Sequence, residues 1–454
     1  MDSIKEFRKQ NPDLRYFDLF YGDLCGVMRG KRYPADQLEK VFEKGAAHCG
    51  SVFLLSVTGE NMNPLGLGFS DGDPDEQSSV IPYTLAPVPW TEHPTAQAMM
   101  TLHGVDGTPY YFEPRNALRR VLERFTDTGF KPVTAFELEF YLIDKQRTKS
   151  GFPQAPMTPG SQTRTKATQV YGFNALDEFA DYLSDLSKCF ELQNIKTGAI
   201  TSEYAPGQFE INLHHSDDSL RAADECIIFK RAVQGVARKH GMQATFMPKP
   251  YIEQAGSGLH LHISLYDDEG NNVLDGGGES GQADSISDTM RHAIGGLLEL
   301  MPEYMAVLAP SINSYRRFQP DTFVPIQACW GFENRSTAIR IPTGEGIARR
   351  IEHRVAGADA NPYLALAVML AAMHYGISNT INPGESFTGN AGETRDEKVP
   401  FRLQPALDRM AASSVLKVYL GERYVQAYTE CKQNELEAFE DIVTTKEYEW
   451  YLQT

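Results

Sequence analysis

Residues Thr134 to Leu142 read TAFELEFYL, which sets Glu137 and Glu139 into an otherwise apolar, aromatic run. In a strand, successive side chains face opposite ways, so both carboxylates share one face while Phe136, Leu138 and Phe140 share the other. That face is either the wet side of a half-exposed strand or a site. Three further segments favour a site. SEYAPGQFEINL places Glu203 beside a Pro-Gly turn and Glu210 in the strand that follows, GSGLHLHISL puts His260 and His262 on one face of another strand, and RRIEHRV carries Glu352. Singly, each has an ordinary reading as a solvated glutamate or a hydrogen-bonded histidine. Together, five carboxylates and an imidazole on one surface repel strongly unless divalent cations compensate. Oxygen-rich ligands with a histidine suit Mg²⁺ or Mn²⁺ better than structural zinc.

Arginines complete the pattern. NSYRRFQPD supplies Arg317, FENRSTAIRIP supplies Arg335 and Arg340, and RRIEHR supplies Arg350 and Arg354. Any one of them reads as half of a surface ion pair. Planar guanidiniums beside a carboxylate–metal cluster, however, are what phosphoryl transfer uses to offset charge growing on transferred oxygens. The constellation predicts ATP chemistry.

The elements that must hold these residues follow from periodicity. Strand candidates are Val133 to Ile143, Gln208 to Leu213, Gly258 to Leu265 and Thr337 to Ile341, interleaved with helices such as Leu220 to His240. This is an α+β layout, an antiparallel sheet backed by helices. Upstream, YFDLFYGDLCGVMRGKRYP and AQAMMTLH are turn-punctuated strands. Leu118, Val121, Leu122 and Phe125 then take helical spacing, closed by Gly129. A domain boundary is expected between His103 and Pro114, giving an N-terminal domain over 1–108 and a catalytic domain over 109–454. LDGGGESGQADS reads as a solvated loop, and it is no P-loop because no Gly-Lys-Ser/Thr follows.

The 454 residues are 41% hydrophobic and 23% charged, ordinary for a globular chain with a large core. A formal net charge of −17 makes nucleic acid and anionic membranes poor partners and favours a cationic substrate. Six scattered cysteines without CxxC spacing suggest neither a disulfide framework nor zinc, consistent with a reducing cytoplasm. The N-terminus lacks the apolar core of a signal peptide, and the run Leu364 to Met373 is too short to span a bilayer, so it reads as a buried helix.

At this point the chain resembles the glutamine synthetase family from about Tyr16 to its C-terminal helices. The ordered segments FELEFYL, SEYAPGQFEINL, ATFMPKP, GSGLHLHISL, NSYRR, NRSTAIRIP and RRIEHRVAGADANPYLALA carry the resemblance. It implies an N-terminal β-grasp domain and a catalytic domain with a curved antiparallel sheet. It also implies a homo-oligomer, a dodecamer of two stacked hexamers with active sites between subunits. Two or three Mg²⁺ or Mn²⁺ ions are implied, one site being Glu139, Glu203 and Glu210 and the other Glu137, His260 and Glu352. Arg317 and Arg354 would hold glutamate, with Gly256 near its amino group. Arg335, Arg340, Arg350, His262 and Ser264 would lie along the ATP phosphates. The implied chemistry phosphorylates the γ-carboxylate of glutamate and then forms an amide by attack of an amine.

The chain departs from that family where ammonium would bind. The loop that carries an Asp-Gly-Ser-Ser motif in ordinary members reads LLSVTGENMNPLG, and Phe323 stands where a flap glutamate is expected. Asp321 and Glu60 are the available displaced substitutes. Without a carboxylate cage, an alkylamine gains over ammonium by burying carbon at about 0.8 kcal/mol per methylene. Phe323 is placed to pack on that chain. The pattern resembles the γ-glutamylpolyamine synthetase branch; the alternatives are an ammonia-using glutamine synthetase and a non-catalytic structural relative. Ala255 replaces the asparagine of the Asn-Gly-Ser-Gly segment, and ESFTGNAGETRDE has no counterpart of an adenylylation tyrosine.

Overall fold

The strand that opens the sequence argument runs longer than its apolar core. In a computed structural model that describes residues 2–166, 169–279, 281–282 and 285–454, it spans Lys131–Asp144. Numbered in chain order, the strands are β1 (Tyr16–Gly22), β2 (Met28–Pro34), β3 (Ala47–Cys49), β4 (Asp75–Val80), β5 (Ala86–Pro87), β6 (Thr95–His103), β7 (Lys131–Asp144), β8 (Thr197–Ser202), β9 (Gln208–Leu213), β10 (Met242–Thr245), β11 (Leu259–Tyr266), β12 (Trp330–Phe332), β13 (Ile339–Ile341) and β14 (Ile351–His353).

Among the described residues they form two sheets. The first has the order β2-β1-β6-β4-β3, with β5 on β6. Its central strands β1 and β6 are parallel while the flanking pairs are antiparallel. The helix Leu38–Lys44 buries Leu38 and Val41 against Phe17 and Leu19 of β1, the sheet-and-helix clasp of a β-grasp fold. The second sheet has the order β12-β13-β14-β11-β7-β9-β8, with β10 on the end of β7. The expected antiparallel arrangement holds for its other pairs, but β12 and β13 run parallel. These two strands are only three residues long, too short for a pattern to declare direction.

Alternation on β7 decides which face of the second sheet is core. Phe136, Leu138 and Phe140 are fully buried and meet the helix Ser219–Lys239, where Phe229 packs edge-on to Phe140 and stacks on Phe190 at 5.1 Å. Asp218 caps that helix by accepting a hydrogen bond from the Arg221 N–H. The run Leu364 to Met373 lies within the helix Pro362–Ser378 and is buried all round. Its start is set by Pro362 at the first turn and by Asn361, whose side chain accepts from the N–H groups of Tyr363 and Leu364. No helix of the described residues is long and apolar enough to cross a membrane. All six cysteines are free. The glycine-rich stretch is less solvated than expected: Leu274 is buried, Asp275 pairs with the buried Arg349, and Ser280, Ala283 and Asp284 fall outside the described residues.

The core helices Asp288–Leu308 and Pro362–Ser378 touch at glycines. A Cβ on Gly296, in the helix Asp288–Leu308, would lie 2.0 Å from the Ala372 carbonyl and 2.7 Å from the Gly376 Cα. Gly296→Ala must therefore separate the helices, an overpacking cost of about 1–3 kcal/mol. Chemical denaturation should show a lower midpoint for Gly296→Ala, and no comparable shift for Gly160→Ala, where a Cβ meets nothing within 4 Å.

Candidate active site

Strand register brings the acidic and basic residues together on the face of β7 opposite the core. Glu137 lies across from His260 on β11 and from Asn212 on β9, and Glu139 lies across from Glu210. On the other flank His262 faces Glu352, which in turn faces Arg340 on β13. Directly opposed residues are within side-chain reach. Glu203 enters from the turn between β8 and β9. There its N–H donates to the Gln208 carbonyl at 2.9 Å and Gly207 takes a φ of 77°. A Cβ on Gly207 would be 2.7 Å from the Leu142 carbonyl, so a larger residue would push the turn off β7.

Among the described residues, two groups have ligand atoms that all lie within 4.8 Å of each other: Glu137, His262 and Glu352, and Glu137, Glu210 and His260. Glu137 belongs to both. This grouping differs from the division that the family resemblance implies, which joins Glu210 to Glu139 and Glu203 and leaves His262 among the ATP contacts. The difference follows from hydrogen bonding. His260 Nδ1 lies 2.7 Å from one Glu137 oxygen, while the other accepts from Asn212 at 2.6 Å and lies 3.4 Å from His262 Nε2. Glu139 is turned toward the Gly258 N–H, which donates to it at 2.8 Å.

Electrostatics divide the carboxylates into stabilised and crowded ones. Burial works against ionisation of Glu137, but His260 and His262 hold its carboxyl well below the usual range. Burial likewise opposes Glu352, whose charge is held down to about 2 by Arg354, the two histidines and Arg340. The reverse applies on β9 and its turn. Glu210 is pushed up to about 10 by burial and by Glu137, Glu139 and Glu203. Glu203 is pushed up to about 7 by burial and by Glu139 and Glu137. Like charges so close cannot all ionise unless a cation joins them. Carboxylate oxygens with imidazole nitrogens are a donor set for a hard dication such as Mg²⁺ or Mn²⁺, so these residues fit the group the sequence implies.

The arginines frame this cluster. Glu352 pairs with Arg340 at 2.5 Å and, in a short contact, with Arg354. Arg340 also pairs with Glu333 at 3.0 Å. Arg350 Nε donates to His262 Nδ1 at 3.3 Å. Arg317 is 2% exposed; one of its terminal nitrogens donates to the Val355 carbonyl at 3.0 Å, while its Nε is buried without a partner. Gly256 makes room for it, since a Cβ there would lie 2.8 Å from Arg317 Cγ. The Arg335 carbonyl accepts from Arg354 Nε, and its own side chain is exposed.

Two cavities meet at the carboxylates. One, of about 550 Å³, is lined by Glu139, Glu203, Gly256, His260, Arg317, Arg354 and Phe323. The other, of about 450 Å³, is lined by His262, Arg340, Arg350 and Glu352. Glu137, Glu210, Tyr171 and Arg335 border both. Ser264 borders neither, because its hydroxyl donates to the Arg349 carbonyl at 2.9 Å. Sequence reasoning missed Asn212 and Tyr204. Asn212 was findable, since it lies two residues beyond Glu210 on one strand and so shares its face. Two chambers that share lining residues, with guanidinium groups in each and carboxylates between them, can bring an anionic phosphate and a second substrate close to one another.

Comparison with known proteins agrees with this geometry. The glutamine synthetase catalytic-domain family matches residues 112–451. The chain is 42% identical over 450 residues to the gamma-glutamylputrescine synthetase of Escherichia coli strain K12, covering 99% of this chain and 94% of that protein. It is 33% identical over 438 residues to a glutamate–isopropylamine ligase from a Pseudomonas species, covering 95% and 93%. A solved GmaS/ADP complex superimposes over the whole of both chains with a TM-score of 0.84 and 28% identity. The chain belongs to the glutamine synthetase family and, within it, resembles the glutamate–amine ligases.

Proposed function

We propose that this protein is an ATP-dependent ligase that joins the γ-carboxylate of glutamate to a primary amine, a polyamine or a monoamine, through a γ-glutamyl phosphate. The observation that carries the reading is Phe323. It lines the larger cavity beside Tyr204, where an ammonia-using enzyme would need a carboxylate.

Arg317 and Arg354 hold the glutamate carboxylate, an assignment supported by the unpartnered buried Nε of Arg317, with the Gly256 backbone beside the amino group. Arg335, Arg340 and Arg350, with His262, flank the ATP phosphates. Ser264 takes a supporting place by fixing the Arg349 carbonyl. The γ-carboxylate oxygen attacks the terminal phosphorus and ADP leaves; guanidiniums around the phosphoryl group offset its charge. A protonated primary amine, with a reference pKa near 10.4, must shed a proton before its nitrogen attacks the acyl carbon and expels phosphate. Water must be kept from the acyl phosphate, or it hydrolyses before the amine attacks. Glu137, Glu139, Glu203, Glu210, His260 and Glu352 would hold Mg²⁺ or Mn²⁺, which supplies charge neutralisation on carboxylate and phosphate oxygens. The same reading makes the chain a subunit of a dodecamer of two stacked hexamers. The exposure of Trp450, Tyr451 and Leu452 near the C-terminus supports a partner surface there.

The acceptor is the first test. With glutamate, ATP and Mn²⁺, ADP release should have a kcat/KM for putrescine at least about tenfold above that for ammonium, because a buried carbon chain adds about 0.8 kcal/mol per methylene. A preference for ammonium would contradict the reading, and absence of ADP release with any acceptor would indicate a structural relative.

A second prediction separates function from folding. Glu203 is crowded by Glu139 and Glu137, so Glu203→Gln removes a repulsion and no ion pair. The denaturation midpoint of the metal-free variant should equal or exceed the wild type's, while amine-dependent ADP release falls by about a hundredfold or more. A destabilised variant that retained turnover would assign Glu203 a structural role.

A further inference from the structure

Arg317 carries a buried charge but forms no ion pair among the described residues. Burial opposes that charge, and two carboxylates favour it. One is Glu139, in the acidic cluster. The other is Asp359, which lines neither cavity of the site. Lys230 is a second buried cation, and its Nζ donates to the carbonyls on either side of Asp359, Ala358 at 2.7 Å and Ala360 at 3.2 Å. One carboxylate thus answers to two buried cations.

The two oxygens of Asp359 are used differently. Oδ2 accepts from the hydroxyls of Ser314 at 2.7 Å and Ser311 at 3.0 Å. Ser314 opens the single turn Ser314–Arg317, so this oxygen ties down the turn that delivers Arg317. Oδ1 is closed off from solvent and has no hydrogen-bond partner. A Cβ on Gly357 would lie 2.5 Å from Oδ1 and 3.3 Å from Arg317 Nη1. Those two atoms are therefore within about 6 Å of each other, close enough for opposite charges to hold one another, and residue 357 puts no side chain between them. Gly357 is itself fixed, its N–H donating to the Leu308 carbonyl at 2.9 Å and the next N–H, of Ala358, to the Ser257 carbonyl at 3.0 Å. Nη1 of Arg317 rests on the Val355 carbonyl, while the Nε of the same guanidinium has no partner.

Resting on the reading that Arg317 holds glutamate, we infer that Asp359 is the positioning residue for that arginine: its charge draws the guanidinium back against Gly357 and the Val355 carbonyl and keeps it from closing onto Glu139 before glutamate arrives. A carboxylate in direct contact would occupy donors that glutamate needs. Set across Gly357 instead, Asp359 balances a buried charge and leaves the Nε free. Because Oδ1 has no donor of its own, its charge is not spent elsewhere. Without Asp359, the attraction of Glu139 is unopposed, and the group that receives glutamate is drawn toward a carboxylate of the acidic cluster.

Steady-state ADP release tests this, with KM measured separately for glutamate and for ATP at saturating acceptor, putrescine or, if it turns over faster, ammonium. Asp359→Asn keeps the shape and an acceptor oxygen for the serines but removes the charge. It should raise KM for glutamate about tenfold and change KM for ATP and kcat by less than about twofold. Gly357→Ala places a methyl between Oδ1 and Nη1 while both charges remain, and should raise KM for glutamate in the same way. Ser314→Ala removes a hydrogen bond and no charge, so it should lower the denaturation midpoint and leave KM for glutamate within about twofold. Arg317→Lys should raise KM for glutamate, and Asp359→Asn should add nothing further in that background, because it acts through the guanidinium. If Arg317→Lys raises KM for glutamate but Asp359→Asn and Gly357→Ala do not, or raise KM for ATP equally, or if the effects of Asp359→Asn and Arg317→Lys add in full, the inference is overturned and Asp359 is merely structural. If Arg317→Lys leaves KM for glutamate at the wild-type value, or the wild type releases no ADP with either acceptor, the reading beneath the inference fails instead.

Discussion

Mutual repulsion among carboxylates on one face of a sheet is the constraint on which the rest of this structure depends. Glu137 and Glu139 project from β7 toward Glu210 on β9 and Glu203 in the preceding turn. Their other faces are committed to a closely packed aromatic core, so the strand cannot rotate to relieve the crowding without exposing Phe136, Leu138 and Phe140. Part of the negative charge is balanced internally. Glu137 has two histidines, and Glu352 lies between two arginines. Glu203 and Glu210 form no ion pair among the described residues, the pull of Arg335 on Glu203 is outweighed, and burial beside like charges holds both toward the protonated form. A dication held by these residues would resolve this conflict and would give the protein a centre of positive charge between two cavities.

The surrounding architecture keeps that centre in place. The helix Ser219–Lys239 stiffens the sheet from its apolar side, and the helix Pro362–Ser378 packs against it through its buried run. The N-terminal sheet is attached to the same frame. Asp18 accepts from both Arg32 and Arg231, and Asn361 donates to the Asp23 carbonyl at 2.7 Å. Thus the residue that caps a core helix also anchors the first sheet. Function and stability divide cleanly across the sheet: one face supplies packing, the other supplies charge.

Much of this was legible before the fold was known, for a physical reason. Period-two alternation fixes which side chains of one strand share a face, so Glu137 with Glu139 on β7, and His260 with His262 on β11, could each be placed on a single face from spacing alone. The helix starting at Ser219 announced itself by its apolar repeat. What spacing cannot give is pairing between distant segments. β12, β13 and β14 are three residues each, and neither their parallel step nor the register that sets His262 opposite Glu352 is encoded locally. The sharing of Glu137 between both groups of ligand atoms comes from that register, as does the diversion of Ser264 to the Arg349 carbonyl. The helix Asp2–Gln10 was not anticipated either, being short and mostly polar. The place of Tyr204 at the cavity was hidden because its ring partner, Phe323, comes from more than a hundred positions away in the chain.

The most direct test of the account is anomalous diffraction from crystals of this protein soaked in Mn²⁺. Positive charge bound against Glu137, Glu210 and Glu203 predicts anomalous peaks within coordination distance of those oxygens, at about 2.0–2.2 Å. Crystals of active protein with no such peaks would contradict it, since the crowded carboxylates would then be tolerated without the ion on which the whole arrangement is argued to depend.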